Sequence, residues 1–505
     1  MSRQKNSFLN ISTNFLILLT NTILSFVVRT VFIKVLGEQY LGVSGLFSNI
    51  LQVLSLAELG IGTAINYALY DPLARGDYKK VSIILGLFKK IYKIVGIIIA
   101  CGGVILIPFL PYLMKDNNVS NTLLIYVLYL FNTVSMYFIS YKDTLITADQ
   151  KYYKLAKIIF ISNVSIYISQ IIILIVFRNF ILYLLAQISI TLIQRVLSNL
   201  LITKTYSNKV DFNSKEKVSS DELKSITTNV KAMFFHKIGY NIVQGTDNII
   251  ISAFINVATV GIYSNYLSLT SMLNTLFYSI FTSVTSSFGN LAALESKDVQ
   301  ESVFNKLNFL AFVVFGYATI CFSMLLQPFV MLWIGEKYVL PTVIIIVICI
   351  NFYLNGMKAP LDTAKEAAGV YKQDQFIPLG QAASNLIFSI ILVKQIGLMG
   401  VLLGTTLSYL LFPFWNRPYT VYKYVFGKGC KSYFIDAIKK MALVVASYII
   451  IDMITSCLHI NNLFLIIGLR LAICTFVFGM MVIIFYKSNE NFKFYKDFIL
   501  NKIKK

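Results

Sequence analysis

The chain has 505 residues, 57% hydrophobic and only 13% charged, with a formal net charge of +21. Its mean hydropathy of +0.72 and long non-alternating apolar runs exclude an ordinary soluble fold and a β-barrel, which leaves membrane-spanning helices. The basic excess would suit nucleic acid, but its placement, taken up below, excludes that partner.

A bilayer core takes roughly 20 apolar residues per helix. Runs of that length are predicted at 8–34, 41–69, 91–113, 122–146, 155–177, 180–202, 229–255, 259–288, 308–334, 339–361, 376–393, 397–421, 436–456 and 461–486. These are numbered spans 1 to 14. Span 7 is unusually polar, and spans 5 and 6 are closely spaced. The first run lacks a small-residue cleavage site and reads as a retained helix rather than a signal peptide.

Basic residues concentrate in every second gap. One set of gaps carries Arg75, Lys79, Lys80, Lys89, Lys90 and Lys93, then Lys142, Lys151, Lys154 and Lys157, then Lys204, Lys209, Lys215, Lys217 and Lys224. Later members hold Arg417, Lys423, Lys428, Lys431, Lys439, Lys440 and the six lysines from Lys487 to Lys505. The opposite gaps hold only Lys34, Lys115, Arg178, Lys337 and Lys394. This is the positive-inside pattern, and it predicts that both termini are cytoplasmic. The excess charge sets topology and suits contact with anionic headgroups. Of the six cysteines, four lie within spans without CxxC spacing, so they read as packing residues rather than disulfides or metal ligands.

A shift of 219 residues aligns distant features. It carries Gly42-Val43 onto Gly261-Ile262, Asp143-Thr144 onto Asp362-Thr363, Ala148 onto Ala367 and Tyr152 onto Tyr371. Each repeat then holds six spans, and an even number makes both halves cross in the same direction, as in parallel-repeat transporters. The expected organisation is all-α and polytopic, with two six-helix bundles and two further helices. The predicted units are 1–206, a polar cytoplasmic linker over 207–228, a second bundle over 229–425, and 426–505 holding spans 13 and 14 with a basic tail.

The gaps opposite the basic ones are too short for a catalytic domain. No GxxxxGK[ST] phosphate loop is present. The two histidines, His236 and His459, have no ligand cluster around them. The chain is expected not to be an enzyme and to hold no resident cofactor.

Several segments carry a family resemblance. They are Arg29-Thr30-Val31-Phe32-Ile33-Lys34-Val35-Leu36-Gly37, Tyr40-Leu41-Gly42-Val43-Ser44-Gly45-Leu46-Phe47, and Ala57-Glu58-Leu59-Gly60-Ile61-Gly62-Thr63-Ala64 with Tyr70-Asp71-Pro72-Leu73-Ala74. The second half adds Gly245-Thr246-Asp247-Asn248-Ile249-Ile250-Ile251-Ser252 and Val260-Gly261-Ile262-Tyr263-Ser264-Asn265-Tyr266. The chain resembles polysaccharide repeat-unit flippases of the multidrug/oligosaccharidyl-lipid/polysaccharide exporter superfamily, over nearly its whole length. The resemblance implies a two-bundle transporter in the bacterial plasma membrane. Its substrate would be an undecaprenyl-diphosphate-linked oligosaccharide for capsule, O-antigen or exopolysaccharide. A polymerase and a chain-length regulator of the same pathway are the implied protein partners.

Charges at membrane depth cost ~2.5–3.5 kcal/mol each on insertion scales and mark functional positions. Arg29 in span 1 suits a diphosphate, since a guanidinium matches phosphate geometry; snorkelling or a structural ion pair are the alternatives. The resemblance implies that spans 1 and 7 line the cavity. The 219-residue shift sets Asp247 level with Arg29, as an ion-pair partner, a coupling-cation site or a structural bridge. Gln244 and Asn248 suit sugar hydroxyls or interhelical hydrogen bonds. Glu58 in span 2 suits a coupling proton or sodium ion, or a carboxyl bonded to a neighbouring helix. Lys231, His236 and Lys237 suit a cationic mouth or inner-leaflet headgroups. Asp452 and Arg470 read as a structural pair, and Arg195 is open to either reading.

Rival functions are a peptidoglycan-precursor flippase or drug antiporter of the same superfamily, a membrane glycan polymerase or ligase, and a non-transporting scaffold. The topology is tested by cysteine labelling. Lys215→Cys is expected to resist a membrane-impermeant thiol reagent in intact cells, and labelling from outside would reverse the orientation.

Overall fold

The computed structural model describes all residues except 1–2, 59–60, 150, 213, 215, 217, 219–238, 240, 244, 371, 458–461 and 504–505. Among the described residues, ten helices are long and apolar enough to cross a membrane. Most of the expected linker lies outside the described residues. By contact the chain divides into Met1–Ser264 and Asn265–Lys505.

The first unit begins with α1 (Arg3–Leu54), which contains span 1 and the first part of span 2. The expected gap between them is a single residue, Gly37, at φ 82 and ψ −176. That backbone region is essentially closed to side chains with a Cβ. Span 2 is then interrupted, as a 3₁₀ turn (Ser55–Glu58) separates α1 from α2 (Ile61–Arg75). Asp77 caps α3 (Tyr78–Leu106), its side chain accepting the Lys80 amide. α4 (Thr122–Ile139) passes through a 3₁₀ turn (Ser140–Lys142) into a short helix (Asp143–Ala148). α5 (Tyr153–Val176) and α6 (Phe180–Tyr206) follow, the latter capped by Asn179.

α7 (245–254) and the start of α8 (Val257–Leu294) complete this unit. Their junction is held by the α3–α4 loop. The Lys115 amide donates to the Ser252 carbonyl, and the Lys115 carbonyl accepts from Val257. Here α8 crosses α1 at very close range. A Cβ on Gly42 would overlap the Val257 carbonyl, and a Cβ on Gly261 would overlap the Glu38 carbonyl. The two contacts are reciprocal, because the shift that carries 42 to 261 also carries 38 to 257. Small residues at a helix crossing let backbones approach where hydrophobic driving force is absent.

The second unit is built around α9 (Lys297–Ile334) and α10 (Thr342–Met357), its most buried membrane helices. Its core is aromatic, with Phe281, Phe304, Phe312 and Phe315 fully buried. α10 continues as a short helix (Ala359–Ala367). α11 (Ile377–Ile396) and α12 (Leu398–Leu411) meet at Gly397, φ 59. A short helix (Pro413–Thr420) and a π turn (Val421–Phe426) extend α12. α13 (Lys431–Ser456) and α14 (Leu463–Tyr486) stand outside the repeat in sequence but join this core. The Phe478 ring sits 5.9 Å from Phe312. The tail forms α15 (Glu490–Ile503).

The expected Asp452–Arg470 pair does not form. Arg470 donates to the Met324 carbonyl at 3.0 Å instead. Its side chain reaches a main-chain acceptor on α9, which satisfies the cation without a second charge in the membrane.

Replacing Gly42 or Gly261 by Ala is expected to lower stability by about 1–3 kcal/mol, because the added carbon must displace a backbone carbonyl. The double variant should cost less than the sum, since one helix separation accommodates both methyls. Thermal unfolding of the detergent-solubilised protein checks this, and unchanged melting in both single variants would contradict the crossing.

Candidate functional site

In the first unit, Glu58 occupies the break in span 2. Helix interruption at membrane depth leaves backbone groups that only protein or a water-filled cavity can satisfy. One Glu58 carboxylate oxygen accepts the Tyr92 hydroxyl from α3 in a very short hydrogen bond. The other accepts the Tyr137 hydroxyl from α4 at 2.8 Å. The two tyrosine rings lie 5.5 Å apart. The carboxyl therefore joins three helices, so bonding to neighbouring helices is present in the structure. A carboxylate with two hydroxyl donors can also exchange one for a proton or a small cation.

Arg195, open in the sequence, ties α6 to the break in α4. Its guanidinium donates to Ser135 Oγ at 2.6 Å and to the Asn132 carbonyl at 3.0 Å. One turn on, Asn199 donates to the Ile139 carbonyl, and after another turn Thr203 accepts from Lys142. One face of α6 thus runs along α4 past its break, where Asn199 satisfies the Ile139 carbonyl. The second unit treats the equivalent acid similarly. Asp362, which the repeat equates with Asp143, accepts the Tyr278 hydroxyl at 2.9 Å and is ion-paired with Arg417. Nearby, Lys365 and Asp374 pair at 2.5 Å with side chains 4% and 2% exposed. The sequence pattern flagged Asp143 and Asp362 only as repeat markers; Tyr92, Tyr137 and Tyr278 carried no separate signal.

Arg29 is half-buried on α1 and donates to Ser264 Oγ on α8 at 2.7 Å. Ser264 in turn donates to the Gly261 carbonyl. Tyr183 of α6 lies within electrostatic range of the guanidinium. Asp247 is half-buried on α7, with Tyr263 of α8 as an electrostatic neighbour. Arg29 and Asp247 thus address adjacent residues of α8. Asn248 is buried, with its Nδ2 facing Gly45 of α1 and its Oδ1 without a hydrogen-bond partner. A buried amide oxygen left unpaired costs about 1–3 kcal/mol and suits an incoming donor. Gln244, Lys231, His236 and Lys237 lie outside the described residues.

Among the described residues, no cluster of His, Cys, Asp and Glu is arranged to hold a metal.

A sequence profile of the family described as polysaccharide biosynthesis protein matches residues 89–342, half of the chain. No curated protein matches the chain. Among solved structures, the chain is similar to the lipid II flippase MurJ in an inward closed conformation. The identity is 16% and the TM-score 0.65, over 95% of this chain and 99% of that one. It is also similar to an inward-facing multidrug resistance MATE family transporter of the MOP superfamily. Here the identity is 15% and the TM-score 0.63, over 79% of this chain and 94% of the other. A Vibrio cholerae MATE transporter shares 13% identity with a TM-score of 0.55, over 85% and 98%. At such identities the likeness shows the fold alone. With ten membrane-length helices among its described residues and a profile match over half its length, the chain is a multi-pass membrane protein that belongs to the polysaccharide biosynthesis protein family.

Proposed function

We propose that this chain is a flippase for undecaprenyl-diphosphate-linked oligosaccharide repeat units. It moves them from the inner to the outer leaflet of the bacterial plasma membrane by alternating access, for capsule, O-antigen or exopolysaccharide synthesis. The reading is carried by a half-buried arginine on a membrane-spanning helix in a chain of the polysaccharide biosynthesis family. Arg29 binds the diphosphate. Asn248 and Gln244 bind sugar hydroxyls. Asp247 balances Arg29 or holds a coupling ion. Lys231, His236 and Lys237 attract the substrate at the cytoplasmic mouth. Glu58 takes up a coupling proton or sodium ion, releasing one tyrosine hydroxyl as it does so. The likeness to MurJ favours a second reading, in which the cargo is a peptidoglycan precursor with the same diphosphate–lipid chemistry.

Deleting the gene is expected to stop surface polysaccharide while lipid-linked repeat units accumulate on the inner leaflet. Unpolymerised units on the outer leaflet would identify a polymerase instead. Accumulation of lipid-linked peptidoglycan precursor would favour the second reading.

Arg29→Ala should cut export roughly 10–100-fold at matched abundance, the value of one charge-assisted hydrogen bond of about 1.5–3 kcal/mol. Arg29→Lys should restore little if both guanidinium donors engage the diphosphate. Normal export by Arg29→Ala would move the diphosphate site to Lys231, His236 and Lys237.

Glu58→Gln is expected to insert normally and to lose the dependence of export on the proton or sodium gradient. Tyr92→Phe and Tyr137→Phe should keep that dependence at reduced thermal stability. Gradient-dependent export by Glu58→Gln at normal rate would leave Glu58 as a helix tie.

A further inference from the structure

The second unit carries an aromatic hollow of about 370 Å³ where α12 ends and α11 and α13 begin. Leu411, Phe412, Trp415, Asn416, Tyr419 and Phe434 line it. The chain makes the hollow through its imino acids. α12 stops at Leu411, Phe412 leaves helical geometry at φ −117 and ψ −73, and Pro413 starts the next helix without an N–H to give back. α11 fits under the Phe412 ring through Gly380, whose added Cβ would stand 2.7 Å from that ring. The far wall stays open, with Trp415 57% and Tyr419 45% exposed. The walls are preorganised, as the Trp415 and Phe434 rings lie 5.0 Å apart and Phe414 backs Phe434 at 5.6 Å.

Two lysines lie close in sequence to the lining residues. Lys423 donates to the Tyr419 hydroxyl at 2.7 Å and lies 5.4 Å over the Tyr424 ring. Lys431 is exposed beside Cys430, which also lines the hollow. Neither has a carboxylate partner among the described residues. Lys428 between them differs, being paired with Asp298 and Glu301.

We infer that this hollow binds one anionic glycerophospholipid. An acyl chain lies against Trp415 and Phe434, and the phosphate engages Lys423 and Lys431. A water-soluble ligand of this size would need several convergent polar groups, whereas half of the lining, Ile377, Leu411, Phe412 and Phe434, is wholly apolar and the rest offers the Asn416 amide, the Tyr419 hydroxyl, the Trp415 indole N–H and the Cys430 thiol. Aromatic side chains at the end of a membrane-spanning helix match the boundary between hydrocarbon and headgroups. The paired lysines select negative charge there. Its residues belong to the second unit and those around Arg29 to the first, and the inference does not depend on which glycan is moved.

The test uses full-length protein in neutral detergent, with phosphatidylglycerol or phosphatidylcholine of identical acyl chains, and counts retained lipids by native mass spectrometry. One phosphatidylglycerol is expected to be held with roughly 10-fold preference over phosphatidylcholine. Lys423→Gln with Lys431→Gln should abolish the preference without changing the fold, since both side chains are exposed. Trp415→Ala with Phe434→Ala should lose both lipids, and if that variant fails to fold, the lysine pair alone decides. Equal retention of the two lipids by the unaltered protein, or an undiminished preference in the lysine variant, would overturn the assignment. So would one-for-one displacement by a polyprenyl diphosphate, which would give the hollow to the substrate's lipid.

Discussion

The crossing of α1 and α8 at Gly42 and Gly261 is the constraint on which the candidate substrate site depends. Each glycine faces a backbone carbonyl, so neither position tolerates a side chain without moving a helix. The arrangement stations the functional groups around it. Ser264, three residues beyond Gly261, receives the Arg29 guanidinium. Gly45, three residues beyond Gly42, faces the Asn248 amide. A separation of a few tenths of an ångström here would be felt at every one of these polar contacts, because hydrogen bonds weaken steeply with geometry.

Interrupted helices form the second theme. Span 2 breaks at Ser55–Glu58, α4 at Ser140–Lys142 and α12 at Phe412. In hydrocarbon each break frees backbone groups that need partners. At the α4 break Asn199 of α6 donates to the Ile139 carbonyl, while Arg195 and Thr203 on the same face hold α4 before it and Lys142 within it. The span 2 break instead gathers a carboxylate and two tyrosines. The first is a structural tie. The second brings an acid and two hydroxyls together within a membrane-spanning segment, where ionisable groups are costly. The α12 break faces outward and shapes the aromatic hollow beside Lys423.

Much of the architecture was legible in the sequence. Hydropathy summed over roughly 20 residues survives local irregularity, and the charge asymmetry between alternate gaps is large. The 219-residue repeat proved to have a physical counterpart where Gly42 and Gly261 meet the backbone positions that the same shift relates. The repeat also equated Asp143 with Asp362, acids that stand where α4 and α10 pass into short helices.

What the sequence by itself determined was the class of the molecule, an all-helical chain that crosses a membrane many times. That rests on averages over many residues. The tertiary structure alone decided which groups meet. Arg470 found the Met324 carbonyl rather than Asp452, Arg195 became a clamp on α4, and Glu58 was enclosed by Tyr92 and Tyr137. Span 1 runs into the first part of span 2 through the single non-helical residue Gly37. Such outcomes turn on single dihedral angles and on helix rotations of a fraction of a turn. A hydrophobic run that fits a bilayer is compatible with any rotation about its own axis, so only packing against neighbouring helices selects one.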